Sequence, residues 1–361
     1  MKIIVIQILF LYICSSFVFA SCPSEPVYGI CYSPFRQGQD PVDGNFPSEE
    51  EIEEDISIIS NIASVLRTYG IDSNLSKIPE FCNFYGVECY VGAWISGAPA
   101  TDQNTISDMI AIANQGYETT KALIVGNEYV YHHFSDPCSV PYIAGLMDQV
   151  RSATNLPVAT AEPWDIWFAR PALAGFVDFI PIHHYAFLRG FDIEIAAQEN
   201  IGVYNALKSE YPNTDVIIFE TGWPTKGESV GSAVPSKENQ EQFLKDFIPL
   251  AKENNVRYFL FEAFDEPYKE ARSGKEYEGN WGLYYEDRTI KTGLDSILSA
   301  NPADINFGGD VNSIDLAKLS TDWLERTDVN SLCLPADLNH DKIINFYDFT
   351  EIADNWLWQS E

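Results

Sequence analysis

Eight short β-rich runs alternate with helical or helix-length stretches between residue 27 and about residue 300. The runs are VYGICY (27–32), SVLRTY (64–69), ECYVGAW (88–94), ALIVGNE (122–128), PVATAE (157–162), VDFIPIH (177–183), DVIIFE (215–220) and RYFLFEA (257–263). Several are apolar without interruption, the pattern of parallel strands covered on both faces. The stretches between them carry helix signals. Ser48 and Glu51 have capping-box spacing ahead of a stripe of Ile52, Ile56 and Ile59, and Phe243, Phe247 and Leu250 line one side of a helix expected over 236–254. Eight such units predict an α/β chain folded as a (β/α)8 TIM barrel. The competing doubly wound open sheet would place a glycine-rich phosphate loop after its first strand, and none follows VYGICY.

Barrel active sites form at the C-terminal ends of the strands, which singles out two acids. Glu128 closes the fourth run and Glu220 the seventh, so both are expected at one mouth despite their distance along the chain. Two carboxyl groups in different protonation states can cleave a glycosidic bond. One protonates the leaving oxygen, and the other attacks the anomeric carbon or activates water. A separation of about 5–5.5 Å gives retention, and about 6.5–9.5 Å gives inversion.

The Asn127 amide suits a hydrogen bond to a sugar 2-hydroxyl, although Asn127 and Glu128 read alone also suit a loop cap. Glu162 and Glu266 are candidates to bind hydroxyls or tune the acid/base residue, with Lys269 touching sugar or pairing with one of them. Trp94, Trp164, Trp223 and Trp281 fall near strand ends or in the following loops, where a ring can stack on a sugar face; Trp223 also suits packing beneath the rim. His183 alone reads as readily as a satisfied core histidine.

FETGWPTKG (219–227) resembles the nucleophile motif of glycoside hydrolase family 17, the β-1,3-glucanases and glucan transglycosylases, and IVGNE (124–128) is similar to its acid/base strand. YGICYSPF, LRTYG, TAEPW, PIHHYAF, FEAFDEPYK and NWGLY resemble that family's other strand ends, in the same order, over roughly residues 27 to 290. The likeness is nearest to the microbial branch. It implies a retaining mechanism with Glu220 as nucleophile, Glu128 as acid/base and no catalytic cofactor. Substrate contacts are implied at Tyr32, Asn127, His183, Tyr185, Glu266 and Lys269, to which Glu162, Trp164 and Trp223 are added as candidates. Two departures bear on the sugar subsites: Phe219 stands where the family usually has a small residue, and His184 replaces the proline after the strand-six histidine.

Residues 1–20, MKIIVIQILFLYICSSFVFA, place Lys2 before an apolar stretch and small or hydroxylated residues before Ala20, the layout of a secretory signal peptide. A catalytic domain over 21–300 follows. The FASC junction also permits lipid anchoring at Cys22, so the expected location is secreted or cell-surface. No later segment is apolar for long enough to span a bilayer. With 22 basic against 53 acidic side chains and a formal charge of −31, the chain repels phosphate backbones and suits calcium or neutral ligands; nucleic acid is not an expected partner. Cys22, Cys31, Cys82, Cys89, Cys138 and Cys333 permit disulfides in an exported chain, with Cys82 and Cys89 the closest pair and Cys31 reading as a packed thiol.

The remainder, 303–361, changes character. DINFGGDVNSID (304–315) and DLNHDKIINFYD (337–348) repeat one pattern, and TDWL and DNWL follow them. Calcium takes oxygen ligands at alternating positions of an EF-hand loop. The second repeat offers Asp337, Asn339, Asp341, the Ile343 carbonyl, Asn345 and Asp348, although Lys342 replaces the usual turn glycine. The first offers Asp304, Asn306, Asp310, Asn312 and Asp315, with Gly308 leaving one position bare. A terminal Asp in place of Glu, followed by a helix ending in Trp-Leu, resembles a dockerin. That implies a small all-α paired EF-hand-like domain, structural Ca2+ and a cohesin-type partner; a metal-free acidic helical hairpin is the alternative.

These readings combine into a secreted retaining glycoside hydrolase acting on a laminarin-like β-1,3-glucan. A β-1,3-glucanosyltransferase would use the same residues with a sugar in place of water. A non-catalytic glucan-binding protein is a third class.

Overall fold

The computed structural model describes residues 27–298, 303, 311–321, 323, 338 and 343–357. All eight expected strands form: β1 (Val27–Cys31), β2 (Ala63–Arg67), β3 (Glu88–Ala93), β4 (Thr120–Asn127), β5 (Val158–Pro163), β6 (Ile180–His183), β7 (Val216–Thr221) and β8 (Tyr258–Leu260). Each pairs in parallel with the next, and β8 returns to β1, closing a barrel without free edges. Parallel neighbours require crossovers, and helices supply most of them.

These helices are α1 (Glu49–Ile59), α2 (Ile78–Tyr85), α3 (Pro99–Ala113), α4 (Tyr129–His132), α5 (Ser139–Ala153), α6 (Trp164–Ala169), α7 (Ile193–Glu210) and α8 (Lys237–Glu253), with α9 (Pro267–Ser273) and α10 (Asp295–Leu298) after β8. The Ser48–Glu51 capping box forms at the start of α1, and Ile52, Ile56 and Ile59 are buried as expected. Ser236 caps α8, which buries Phe243 and Phe247 against the barrel.

Two apolar layers hold the barrel. The outer layer lies between strands and helices, and the inner one fills the barrel with Cys31, Val65, Tyr90, Ile124, Phe179, Ile217, Phe219 and Phe259 among others. Phe219 packs edge-on to Tyr90 and Phe259, so its bulk fills the barrel interior and not a sugar subsite. His184 is likewise buried, bonded to Asn200 Oδ1 at 3.0 Å.

Cys31, Cys82, Cys89 and Cys138 are free thiols, so the nearest pair in sequence, Cys82 and Cys89, is packed as two buried thiols and not bridged. Cys22 and Cys333 lie outside the described residues.

At the C-terminal end, α11 (Ser313–Thr321) and α12 (Phe346–Asp354) enclose a small core of Ala303, Val311, Leu319, Leu338, Ile344 and Ile352. Lys318 of α11 reaches Glu253 of α8 at 2.8 Å. Among the described residues no helix is long and apolar enough to cross a membrane.

Candidate active site

Register shifts build the mouth of the barrel. Along β7, Ile217 and Phe219 face the interior while Ile218 faces the helices, so strict alternation would turn Glu220 outward. Pairing shifts at this end, between Ile182 and His183 on one side and between Ile218 and Thr221 on the other. Glu220 thereby joins the groups at the mouth. On β4 the shift follows Ile124, and both Gly126 (φ +81) and Glu128 (φ 55) take left-handed backbone. A Cβ at Gly126 would also lie 3.0 Å from Ile143 Cδ1, so any other residue there would be strained by the angle and would crowd Ile143. The turn sets Glu128 at the head of α4.

Arg67, the last residue of β2, organises the floor. It is fully buried and donates to Glu220 Oε1 at 2.9 Å, to Asn127 Oδ1 at 2.7 Å and to His183 Nε2 at 3.1 Å. Tyr69 and Tyr185 donate their hydroxyls to Glu220 Oε1 (2.9 Å) and Oε2 (2.7 Å). Burial works to raise the Glu220 pKa. The adjoining His183 and Arg67, together with the two hydroxyls, outweigh it and hold the carboxyl below its usual value.

An arginine can only donate, so His183 Nε2 must accept and Nδ1 carries the ring proton. Nδ1 lies 2.8 Å from Glu128 Oε1 and 3.3 Å from Glu220 Oε2, bridging the two acids. Ligand atoms of Glu128, His183 and Glu220 lie within 4.8 Å of one another. A metal ion there would have to displace the Nδ1 proton and would meet the Arg67 charge. The donor set fits a hydrogen-bonded carboxylate pair.

A cleft of about 830 Å³ opens over these groups, walled by Phe35, Val42, Phe46, Trp94, Phe261 and Trp281, with Asn127, Glu128, Tyr185, Glu220, Lys269 and Glu278 along it. Trp94 is half exposed and Trp281 packs edge-on to Tyr185, so of the four candidate tryptophans these two line the cleft.

The other candidates do different work. Tyr32 lies on the cleft floor, but its hydroxyl donates to Asp55 Oδ2 at 3.0 Å within a buried cluster closed by Arg288. Glu162 is buried and accepts from the N–H groups of Val130 and Tyr131 at 2.8 and 3.0 Å, fixing α4 and touching no open space. Burial pushes its pKa up to about 8 against those two bonds. Trp223 is buried with its N–H on Val234 O, and packs under the rim against Phe187. Trp164 stands outside the cleft lining, edge-on to His184 and beneath Arg189. Glu266 is buried, accepting from Ser33 Oγ at 2.6 Å. Lys269 Nζ lies 2.5 Å from both Glu262 and Glu266, and burial beside Glu266 keeps Glu262 well above the carboxylate range despite Lys269.

Arg67, Tyr69, Glu262 and Glu278 were not singled out from sequence. Arg67 had a signal available: an arginine ending an otherwise apolar strand needs partners if it is buried.

Of the expected calcium ligands, Asn312, Asp315, Ile343, Asn345 and Asp348 are described; Asp304, Asn306, Asp310, Asp337, Asn339 and Asp341 lie outside the described residues. Asp315 and Asp348 are both buried and turn back into their loops. Asp315 accepts from Asn312 N at 2.9 Å, and Asp348 from Asn345 N at 2.7 Å and Leu338 N at 2.8 Å.

Solved structures share the barrel fold. The glucan endo-1,3-β-glucosidase btgC of Emericella nidulans is 27% identical over 295 residues, covering 74% of this chain and 45% of that protein. The chain thus spans less than half the length of the curated relatives it matches. The glycoside hydrolase family 17 β-1,3-glucanosyltransferase of Rhizomucor miehei superimposes with a TM-score of 0.65 at 27% identity, covering 75% of this chain and 97% of that one. An endo-laminarinase from Formosa, at 22% identity and a TM-score of 0.61 over 75% of this chain and 86% of its own, shares the fold. Residues 29–282 match the BtgE/BtgC glycoside hydrolase domain, a span that holds Arg67, Glu128, His183 and Glu220, and the chain belongs to that family.

Proposed function

We propose that the barrel cleaves β-1,3-glucan with retention, Glu220 acting as nucleophile and Glu128 as acid/base. One observation carries this reading: His183 Nδ1 bridges two strand-end carboxylates whose nearest ligand atoms lie within 4.8 Å. That spacing favours direct attack by a carboxylate over attack by an interposed water. In the first step Glu220 attacks the anomeric carbon while Glu128 gives its proton to the departing oxygen. In the second, water attacks the same carbon, Glu128 takes a proton from it, and the bond to Glu220 breaks with its electron pair returning to the carboxylate. Arg67 and the two tyrosine hydroxyls hold Glu220 ionised for attack, and the Asn127 amide is placed beside the mouth by Arg67. The glucan linkage follows from what the E. nidulans and R. miehei proteins are named for. Laminarin incubated with pure protein should release reducing sugar, and Glu220→Gln should release none; absence of both effects defeats the reading.

A glucanosyltransferase is the second reading, favoured by the R. miehei enzyme that this chain covers almost completely. Products longer than the supplied laminari-oligosaccharide would establish transfer.

For the C-terminal repeat we propose structural calcium held by the oxygen set from Asp304 to Asp315 and from Asp337 to Asp348, with docking to a cohesin-type protein. The oxygen-bearing side chains spaced along both repeats support this reading. Export, by the apolar stretch over 1–20 or with a lipid at Cys22, completes the proposal.

A further inference from the structure

The acceptor side of the reaction is marked by one oxygen. Glu128 Oε1 faces the His183 Nδ1–H at 2.8 Å, so it is an acceptor already in use. The exchangeable proton of Glu128 therefore belongs on Oε2. Any oxygen that leaves the anomeric carbon, or attacks it afterwards, has to lie against Oε2 to receive or surrender that proton.

What flanks Oε2 is His132, whose Nε2 stands 3.7 Å away. That gap is too long for a hydrogen bond, so Glu128 does not satisfy the ring nitrogen. His132 is 55% exposed on its side chain, and Tyr131 beside it is 49% exposed, with the two rings edge to face at 5.2 Å. Neighbouring His133 is unavailable, stacked on Tyr129 and bonded to its carbonyl at 2.9 Å. The short helix carrying these residues is held rigid from below by Glu162, through the N–H groups of Val130 and Tyr131. Neither Tyr131 nor His132 lines the walled cleft, whereas Glu128 and Glu220 both do. The sugar that becomes covalently held must sit against Glu220.

We propose that His132 and Tyr131 form the acceptor site, which seats a sugar hydroxyl against Glu128 Oε2 and so sets the split between transfer to sugar and transfer to water. This rests on the retaining reading of Glu128 and Glu220. The acceptor oxygen forms its bond to the anomeric carbon, and its proton passes to Oε2. The carbon–oxygen bond to Glu220 breaks, and the electron pair returns to that carboxylate. His132 Nε2 hydrogen-bonds the incoming sugar, and the Tyr131 ring supports its apolar face.

The test uses the full chain and a 2-deoxy-2-fluoro-β-laminaribiosyl fluoride, whose fluoride leaves without a proton. Intact-protein mass should show one glycosyl adduct, mapped to Glu220. Adding laminaribiose should then reactivate the wild-type adduct saturably. In His132→Ala and Tyr131→Ala the acceptor concentration for half-maximal reactivation should rise about tenfold, as expected for loss of one good contact, and His132→Gln should recover part of it. No adduct at all would sink the retaining reading, and this inference with it. An adduct that laminaribiose fails to reactivate, or that it reactivates equally in wild type and His132→Ala, would overturn the acceptor site alone.

Discussion

Arg67 Nη1 lies 2.9 Å from Glu220 Oε1, with the arginine side chain wholly buried and the glutamate side chain 6% exposed. A charge so enclosed is tolerable only because the guanidinium fork is shared among Glu220, Asn127 and His183.

Arg67→Lys keeps the charge but cannot span three partners. It is expected to lower kcat/KM on laminarin by about 10²-fold, equivalent to about 3 kcal/mol, the scale of breaking a buried ion pair. Steady-state kinetics with a thermal melt check it; unchanged kinetics would remove Arg67 from the site.

Glu128→Ala removes the proton donor, and a loss of about 10²–10⁴-fold on unactivated glucan is expected. Azide should restore turnover of an aryl β-laminaribioside and yield a β-glycosyl azide, read by NMR. An α-azide would mean inversion.

The depressed pKa of Glu220 has a definite sign. Its carboxylate stays ionised below the ordinary glutamate value of about 4.3, so the acid limb of kcat/KM should lie below that pH. The stabilisation it contributes is present above the unfolded value and is lost as pH falls through the folded one. Tyr185→Phe deletes a hydrogen bond to the charged form and should move the acid limb upward.

Glu162 has the opposite sign. Raised to about 8, chiefly by burial, it holds a proton in the folded state that the unfolded chain releases from about pH 4.3 upward. Stability should therefore fall between that pH and 8. Glu162→Gln should flatten the Tm-against-pH curve over this window, measured by calorimetry.

Calcium should raise the melting temperature of a separate low-temperature transition in the full chain, and EDTA should reverse it. Asp348→Ala should abolish the shift while laminarin hydrolysis changes less than about twofold, since Asp348 does not line the cleft. A calcium-independent transition would leave the acidic hairpin.

Sequence alone determined the eight strands and their order, because continuous apolar runs between amphipathic helices have few other ways to bury themselves. It also marked Glu128 and Glu220, since a barrel gathers its strand ends at one mouth. Pairing geometry decided what those ends became. The register shifts beside Glu220 and His183, and the left-handed turn at Gly126 and Glu128, override the two-residue alternation that a linear reading relies on. Tertiary packing likewise chose which plausible side chains face substrate: Trp94 and Trp281 line the cleft while Trp223 is sealed beneath it, and Glu162 spends its carboxylate on backbone N–H groups. A buried polar group is defined by its partners, and those come from strands far apart along the chain, as Arg67 and Glu220 do at 153 positions. Residue type and spacing therefore located the chemistry, and only closure of the barrel assigned each side chain its neighbours.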